Sequence, residues 1–418
     1  MKRAPPASRD SPSKCLPRTK IKSPHNEPFG HMPPGVLPAP RRLKIFAAIR
    51  DGAAEPDYDF RGGRERRGME RKLEKAPASM VSGGLMNYGF FDAPVRRMNL
   101  SDARPGGPLA FRPLREARLK EWLGFVIQSP GWMFTVFLQD AKYLGSANVY
   151  AVNLETGKMF RWMRSAPGRS ARLARSAYGG VSECRARGFK VEAKGALDKG
   201  IHEISVAIDG DARTPSAEME IRVREDFAET QPLTACFPLR DEGCFIYTHK
   251  AAMPAGGRVR IGGQRIELDP ERDIAIMDEH KSVFPRRTVW RWATFAFRDP
   301  EGGIAGLNIG DHETADNKSA NNENCVWAGS AISFLGAARF EMDPKRRMKP
   351  WRISDESGRA DVVFTPLHDK HEKFVIPGAG INYFQPAGVF NGHIETDGGR
   401  RMKVENAIGV AEMMDARF

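Results

Sequence analysis

Short runs of apolar or alternating residues, separated by turn-forming residues, dominate the chain from about residue 125 onward. Alternation over four to eight residues between Gly, Pro, Asn and Asp clusters is typical of β-strands. Compact hairpin turns are predicted at Glu155–Gly157, Gly262–Gly263 and Asp397–Gly399. The pattern indicates about fifteen to twenty strands in antiparallel sandwiches or barrels, so we expect an all-β fold.

The number of predicted strands also bears on domain organisation, because more than about ten strands rarely close as one small barrel around a filled core. We therefore predict two consecutive antiparallel β modules, residues 85–230 and 231–418, with the candidate site in the second. The boundary is expected in the turn-rich stretch Asp226 to Pro238. One short helix is predicted at Pro113–Trp122, because Pro113 suits a first turn and apolar residues follow at helical spacing.

Residues 1–84 are expected to form a disordered, basic, Pro-rich arm. The first 80 residues hold 12 of the 30 prolines, and 18 Lys/Arg against 9 Asp/Glu, which is +9 of the net charge of +13. Such a segment cannot supply a core. One interpretation is an arm that binds nucleic acid or an acidic membrane surface. We favour a second interpretation, in which the segment is a dispensable extension or results from an upstream start site that was chosen wrongly. We therefore do not expect a nucleic-acid partner.

Composition excludes several classes of protein. Hydrophobic residues make up 41% of the chain and charged residues 28%, which fits a soluble globular protein. No apolar run approaches the ~20 residues of a membrane helix, and no apolar segment follows the basic start, so a cytoplasmic location is expected. The sequence has no P-loop, no GxGxxG after a strand, no GxSxG and no CxxC, so we expect neither a nucleotide cofactor nor a zinc ribbon.

The strongest candidate for chemistry is the Asp-Glu-His cluster at 278–280, which ends an apolar run. In a strand, period two places Ile274, Ile276, Asp278 and His280 on one face. An acid at the end of an apolar stripe is partly desolvated, which raises the pKa of its carboxyl and suits a proton donor. The alternative interpretation is a solvated strand end.

Other candidates surround this cluster in sequence. Trp290 and Trp292 share a strand face and are typical of either a stacking wall for a flat ligand or core filling. His249 and Lys250 end an aromatic-rich strand, where they could bind an anionic group, assist proton transfer or simply pack.

A polar loop, GDHETADNKSANNENC at 310–325, lies between Asn308 and the Glu323-Asn324 pair. Its acidic residues and His312 suggest a metal site. The loop has no HExxH or calcium-loop pattern, so we expect no metal and interpret the segment as a lid over a site.

Six separated phrases carry a family resemblance: GFFDAPVRRMNL, RLKEW, YTHKAAMPAGG, MDEHKSVFPRRTVWRWATF, GLNIG with ENCVW, and FQPAGVFNGHIETDGG. Over about residues 85–418 the chain resembles the bacterial domain-of-unknown-function family 2804. The resemblance implies a calycin-like fold of two lipocalin-type modules, with distant similarity to hydroxyneurosporene synthase and AttH-like proteins. It implies proton-initiated chemistry on unsaturated, isoprenoid-like or lipid substrates, and carries over Asp278, Trp290, Trp292, His249 and Asn308 as site candidates.

The function expected from these observations is that of a cofactor-free hydratase or isomerase. Asp278 would protonate a double bond, and His280 or His249 would tune it or place water. Substrate would contact Trp290, Trp292, Lys250, Asn308 and Asn324. The alternative is a non-catalytic protein that binds lipids or small apolar molecules. A small hydrophobic molecule is the expected partner in both cases, and the sequence leaves the oligomeric state open.

Overall fold

A computed structural model describes residues 71–418 apart from 169, 314–320 and 377. In chain order the first strands are β1 (Leu73–Glu74), β2 (Val81–Ser82), β3 (Leu85–Met86), β4 (Gly89–Phe91), β5 (Leu119–Ser129), β6 (Trp132–Asp140), β7 (Leu144–Asn153), β8 (Met159–Pro167), β9 (Ala171–Arg172), β10 (Val181–Ala186), β11 (Phe189–Ala196), β12 (Ile201–Ile208), β13 (Ala217–Arg224), β14 (Leu233–Pro238), β15 (Phe245–Ile261), β16 (Gln264–Leu268) and β17 (Ile274–Val283). They are followed by β18 (Arg287–Arg298), β19 (Ile304–His312), β20 (Cys325–Ala328), β21 (Ala331–Phe334), β22 (Ala338–Glu341), β23 (Trp351–Asp355), β24 (Ala360–Pro366), β25 (His371–Ile376), β26 (Ala379–Phe384), β27 (Ala387–Glu395) and β28 (Arg401–Arg417).

Helical structure in the described residues is limited to α1 (Arg112–Arg118) and three 3-10 turns, Leu100–Asp102, Gly107–Ala110 and Leu197–Lys199. Pro113 lies in the first turn of α1, as predicted. The helix is shorter than predicted, however, because Leu119 and Trp122 belong to β5, whose backbone pairs with β17 and β6. The apolar residues continue at helical spacing beyond Arg118, but from Leu119 onward the backbone forms a strand because it pairs with β17 and β6. The predicted all-β fold is confirmed.

The strands form two large sheets, each curled into a half-barrel. The first has the order β8-β7-β6-β5-β17-β15-β13-β12-β11-β10-β9, with β14, β16, β4 and β1 attached beside it. The second has the order β21-β20-β19-β18-β28-β27-β24-β23-β22, with β26 paired to β28 and β25 paired to β26. Within each of the two sheets, neighbouring strands are antiparallel, except that β1 and β4 are parallel. The three predicted hairpins join β7 to β8, β15 to β16 and β27 to β28.

The change from one sheet to the other falls between Val283 and Arg287. The sequence placed the module boundary at Asp226 to Pro238, but the strands after that stretch complete the first sheet. β17 lies between β5 and β15, and β14 pairs with both β15 and β4. At the other end, Met80 and Val81 are buried, so this part of the expected arm packs on the body. The rest of the arm, residues 1–70, lies outside the described residues.

Three hydrophobic cores occupy this architecture. One uses residues of the first sheet alone, and another uses residues of the second sheet alone. The third takes Trp122, Ile276 and Tyr247 from the first half and Trp290 and Trp327 from the second. The two half-barrels are thus joined through a shared core. No helix among the described residues is long and apolar enough to cross a membrane.

β15 is 17 residues long and changes partners along its length. Its first part pairs with β14 and β17, and its last part with β13 and β16. Gly257, near this change, has φ +131°, which disfavours any other residue. A Cβ there would lie 2.2 Å from the backbone oxygen of Glu220 on β13. A glycine is therefore needed for β15 to pair with β13 at this position.

Candidate active site

A cavity of about 110 Å³ lies between the two sheets. Its apolar wall takes side chains from both halves: Trp122, Val126, Ile276, Trp290, Trp292 and Ile381. Its polar lining includes Lys250, Asp278, His280, Glu323, Lys370 and Glu412. A mostly apolar cavity with a few convergent ionisable groups is the usual form of a small-molecule site.

Asp278 forms the centre of one polar end. It lies directly opposite Lys250 in the β15–β17 register, with Lys250 Nζ 3.0 Å from Asp278 Oδ1. The same ammonium is 2.9 Å from Glu323 Oε2, which comes from the loop before β20 in the second half. One buried cation therefore serves two carboxylates, and it links the two halves of the molecule.

These contacts reverse the expected protonation of Asp278. Burial raises the pKa of this carboxyl, but the charges of Lys250 and His280 outweigh burial and hold it well below its usual range. The predicted rise in the pKa of Asp278 is therefore wrong, because the sequence could not reveal a cross-strand lysine partner. An ionised carboxylate can accept a proton, and the Asp278 side chain remains 19% exposed to the cavity.

Two aromatic rings orient this carboxylate and its neighbour. Trp122 Nε1 donates a hydrogen bond of 3.0 Å to Asp278 Oδ2, and the Trp122 ring stacks on His280 with centroids 4.4 Å apart. His280 Nε2 is 3.2 Å from Asp278 Oδ1 and 3.4 Å from Glu323 Oε1. The predicted common face of Ile276, Asp278 and His280 is thus correct, since all three line the cavity.

Trp290 and Trp292 also line the cavity from one face of β18. Trp292 lies under the Lys250 ammonium, 4.7 Å from ring centroid to Nζ, and its Nε1 donates to Asn308 Oδ1 at 2.8 Å. Asn308 and Asn324, predicted to bind substrate, are instead fully buried behind the wall. Asn324 accepts from the backbone of Gly310. These two amides hold the wall in place.

A second carboxyl group, Glu412 on β28, faces the same cavity and was not singled out in the sequence. It accepts hydrogen bonds from Trp290 Nε1, from Tyr383 Oη at 3.0 Å and from Gln385 Nε2 at 2.9 Å. Burial raises the pKa of Glu412, and these donors only partly offset it. The available signal was that Glu412 is the one charged residue in the apolar run 407–414.

The two carboxyl groups are connected by a pair of indoles. Trp122 donates to Asp278, Trp290 donates to Glu412, and the two rings stack with centroids 6.1 Å apart. One cavity therefore contains a carboxyl whose pKa is lowered and another whose pKa is raised. Enzymes that use two carboxyl groups as base and acid displace their pKa values in this way.

The end of the cavity beyond Glu412 is also polar. Lys370 Nζ donates to Gln385 Oε1 at 3.0 Å and lies 4.4 Å from the ring centroid of Tyr150 and 5.1 Å from that of Tyr383. Burial lowers the pKa of this ammonium to about 8. The sequence indicated nothing here, because Lys370 lies in a short charged stretch that resembles a surface turn.

His249 does not belong to the cavity, contrary to the prediction. It is next to Lys250 in β15, and neighbouring residues in a strand point to opposite faces. His249 Nε2 lies 2.7 Å from Glu225 Oε1, and its Nδ1 lies 3.4 Å from Glu279 Oε2. His202 contacts the other oxygen of Glu225 at 2.6 Å. These groups form a separate buried cluster on the inner side of the first sheet.

The polar loop is described only at its two ends, so its predicted role as a lid lies outside the described residues. Asp311 pairs with Arg291, 2.9 Å from its Nη1, and His312 lines the cavity. Burial lowers the pKa of His312 to about 4, so its ring is neutral. The described residues hold no group of His, Cys, Asp and Glu arranged to bind a metal ion.

A family model, Domain of unknown function (DUF2804), matches residues 70–418, which confirms the sequence resemblance and extends it N-terminally. No curated protein matches the sequence. Among solved structures, CghA with Sch210972 has a TM-score of 0.44 at 11% identity, covering 82% of this chain and 97% of that one. The AttH-like protein of Nitrosomonas europaea has a TM-score of 0.42 at 13% identity, covering 72% and 93%. Kievitone hydratase of Nectria haematococca has a TM-score of 0.35 at 11% identity, covering 72% and 88%. At these values, function has to be argued from the side chains of the cavity.

Proposed function

The chain belongs to the DUF2804 family, and we propose that it is an enzyme that adds water to, removes water from, or isomerises an unsaturated, largely apolar small molecule held between its two half-barrels. The observation that carries this proposal is the pair of buried carboxyl groups in one cavity whose pKa values are displaced in opposite directions. Acid and base chemistry at neutral pH needs such a pair.

In the hydration direction, Glu412 is the acid and Asp278 the base. Glu412 transfers its proton to one alkene carbon, and water attacks the other carbon to form the C–O bond. Asp278 accepts the proton that this water loses, so the product gains one water molecule. The proton returns to Glu412 through exchange with solvent. Isomerisation uses the same groups, with Asp278 taking a proton from a neighbouring carbon instead.

The remaining lining supports this chemistry. The faces of Trp122, Trp290 and Trp292 stabilise positive charge that develops on carbon after protonation. Lys250 and His280 keep Asp278 ionised, as its base role requires. Lys250 itself is a positioning residue for Asp278, since its ammonium is already paired with the two neighbouring carboxylates.

The test is incorporation of heavy-oxygen water. The purified full-length protein is incubated with an extract of unsaturated lipids and isoprenoids in heavy-oxygen water, and mass spectrometry identifies compounds that gain labelled water. Glu412→Gln should reduce the initial rate roughly 100- to 10,000-fold while the compound still binds. Glu405→Gln, which changes an exposed glutamate on the same strand, is the matched control and should keep the full rate.

Two outcomes would contradict the proposal. One is a Glu412→Gln variant as fast as the unmodified protein. The other is the absence of any labelled or isomerised compound.

A second candidate function is binding without conversion, and the largely apolar wall of the cavity favours it. Under this alternative a compound copurified from cells leaves the protein unchanged after long incubation. Trp290→Ala then weakens its binding, while Glu412→Gln has no effect on its fate.

A further inference from the structure

Lys370 is a buried cation that lines the cavity, and the carboxylates Glu372 and Glu412 in the same lining act on its charge without forming an ion pair with it. Its side chain is 3% exposed. Among residues 71–418 as described, no carboxylate forms an ion pair with Lys370, and its one hydrogen-bond acceptor is the neutral Oε1 of Gln385. That oxygen also accepts from Tyr150 Oη at 3.1 Å. Burying an ammonium is costly unless an anion or several acceptors surround it.

The other lysine in the cavity shows what compensation looks like. Lys250 lies between Asp278 and Glu323 at 3.0 and 2.9 Å, so both of its charge partners come from the protein. Lys370 instead faces two aromatic rings, which compensate an ammonium only in part. Glu372 is itself paired with Arg161, whose Nη2 lies 2.6 Å from Glu372 Oε1, so the Lys370 ammonium has no carboxylate in direct contact and is available to an anionic ligand.

We propose that Lys370 binds an anionic oxygen of the substrate, so that the substrate is an unsaturated apolar molecule bearing a carboxylate or enolate. This inference rests on the proposed function only in taking the cavity as the substrate site. The Lys370 ammonium meets the anion at one end, and the hydrocarbon part extends along the tryptophan wall toward Asp278.

The geometry also fixes where the double bond lies relative to the anion. A single carboxamide, Gln385, connects the two groups: its Oε1 accepts from Lys370 and its Nε2 donates to Glu412 Oε2 at 2.9 Å. Tyr383 spans the same gap, since its ring faces Lys370 and its hydroxyl donates to Glu412. A molecule held at Lys370 therefore presents to Glu412 a carbon only a few bonds from its anionic group, as in a conjugated unsaturated acid.

The test compares two probes of the same branched, unsaturated chain, geranate with its carboxylate and geraniol with a neutral hydroxyl. Binding to the full-length protein is followed by the fluorescence of the tryptophans that line the cavity. Geranate should bind roughly 10- to 100-fold more tightly than geraniol, the range expected for a charge-assisted contact. Lys370→Met should remove this preference and leave the affinity for geraniol unchanged.

Two further variants complete the design. Lys370→Arg keeps the charge and should keep a preference for geranate, and Lys373→Met, an exposed lysine on β25, should behave as the unmodified protein. Melting temperatures of all variants identify any loss of folding. If Lys370→Met does not fold, the inference is decided by Lys370→Arg and by the relative affinities of the unmodified protein for geranate and geraniol. Equal affinities for geranate and geraniol, or no binding of geranate, would overturn the inference, as would a preference that survives in Lys370→Met.

The outcome is separable from that of the proposed function. A Lys370-dependent preference for geranate alongside a fully active Glu412→Gln variant would establish the anion site and remove the acid chemistry. Loss of labelling in Glu412→Gln, together with equal affinities for geranate and geraniol, would support the acid chemistry and remove the anion site.

Discussion

At the residue scale, the cluster around His249 ties stability to pH. Burial alone would lower the pKa of His249, but Glu225 and Glu279 raise it to about 9 from its ordinary 6.5. Burial would raise the pKa of Glu225, yet His249 and His202 hold it at about 2, against an ordinary 4.5. Both groups are charged together over a wide range of pH, and the folded state benefits.

The sign of the pH dependence follows from these shifts. The contribution of His249 is complete below pH 6.5 and is lost as pH rises toward 9, whereas that of Glu225 is complete above pH 4.5 and is lost as pH falls toward 2. The free energy of unfolding, measured with urea, should therefore decline from pH 6.5 to 9. His249→Gln should flatten this decline, and His371→Gln, an exposed control, should not. Parallel curves for His249→Gln and the unmodified protein would remove the cluster from the explanation.

The candidate site was partly predictable at this scale. Period two correctly placed Asp278 and His280 on the face of Ile276. The same alternation puts His249 and Lys250 on opposite faces, so grouping them as one candidate pair was wrong. The protonation of Asp278 was not predictable, since Lys250 and Glu323 reach it from a neighbouring strand and from a loop of the other half. Lys370 was missed because nothing in its local sequence tells a buried ionisable group from an exposed one. Glu412 was missed although it is the one charged residue in the apolar run 407–414.

At the element scale, the pairing of β15 with β13 depends on one glycine. Gly257→Ala would place a methyl group 2.2 Å from the oxygen of Glu220 at a φ of +131°. We expect a loss of about 1–3 kcal/mol or more in the free energy of unfolding, with an unchanged dependence on urea concentration. Gly263→Ala is the matched control, because a Cβ there meets nothing within 4 Å, and it should stay within about 0.5 kcal/mol. A tolerated Gly257→Ala would mean that the pairing of β15 with β13 does not require glycine at this position.

Local pattern predicted the elements better than their partners. Alternation and turn residues identified the hairpins correctly, because both signals lie within a few residues of each other. The predicted helix at Pro113 was too long, because the chain from Leu119 onward pairs as a strand with β17, about 160 residues away in the sequence. The module boundary was misplaced for the same reason, as the first sheet is completed by strands that follow residue 231.

At the scale of the whole molecule, the shared core predicts cooperative unfolding. Trp122 and Ile276 of the first sheet pack in one cluster with Trp290 and Trp327 of the second, so loss of either half exposes apolar surface of the other. Urea midpoints from far-ultraviolet circular dichroism and from tryptophan fluorescence should coincide in a single transition. Two separate transitions would indicate that the half-barrels are independent domains.

The cavity lies at the boundary between the two half-barrels, and the two carboxyl groups of the proposed proton transfer belong to different half-barrels. Asp278 is fixed in β17 and Glu412 in β28, and within each sheet the ladder of hydrogen bonds holds its own carboxyl rigidly. A small rotation of one half-barrel against the other would therefore change the reach between donor and acceptor without disturbing either ladder. The docking angle between the half-barrels thus sets the distance between the two carboxyl groups.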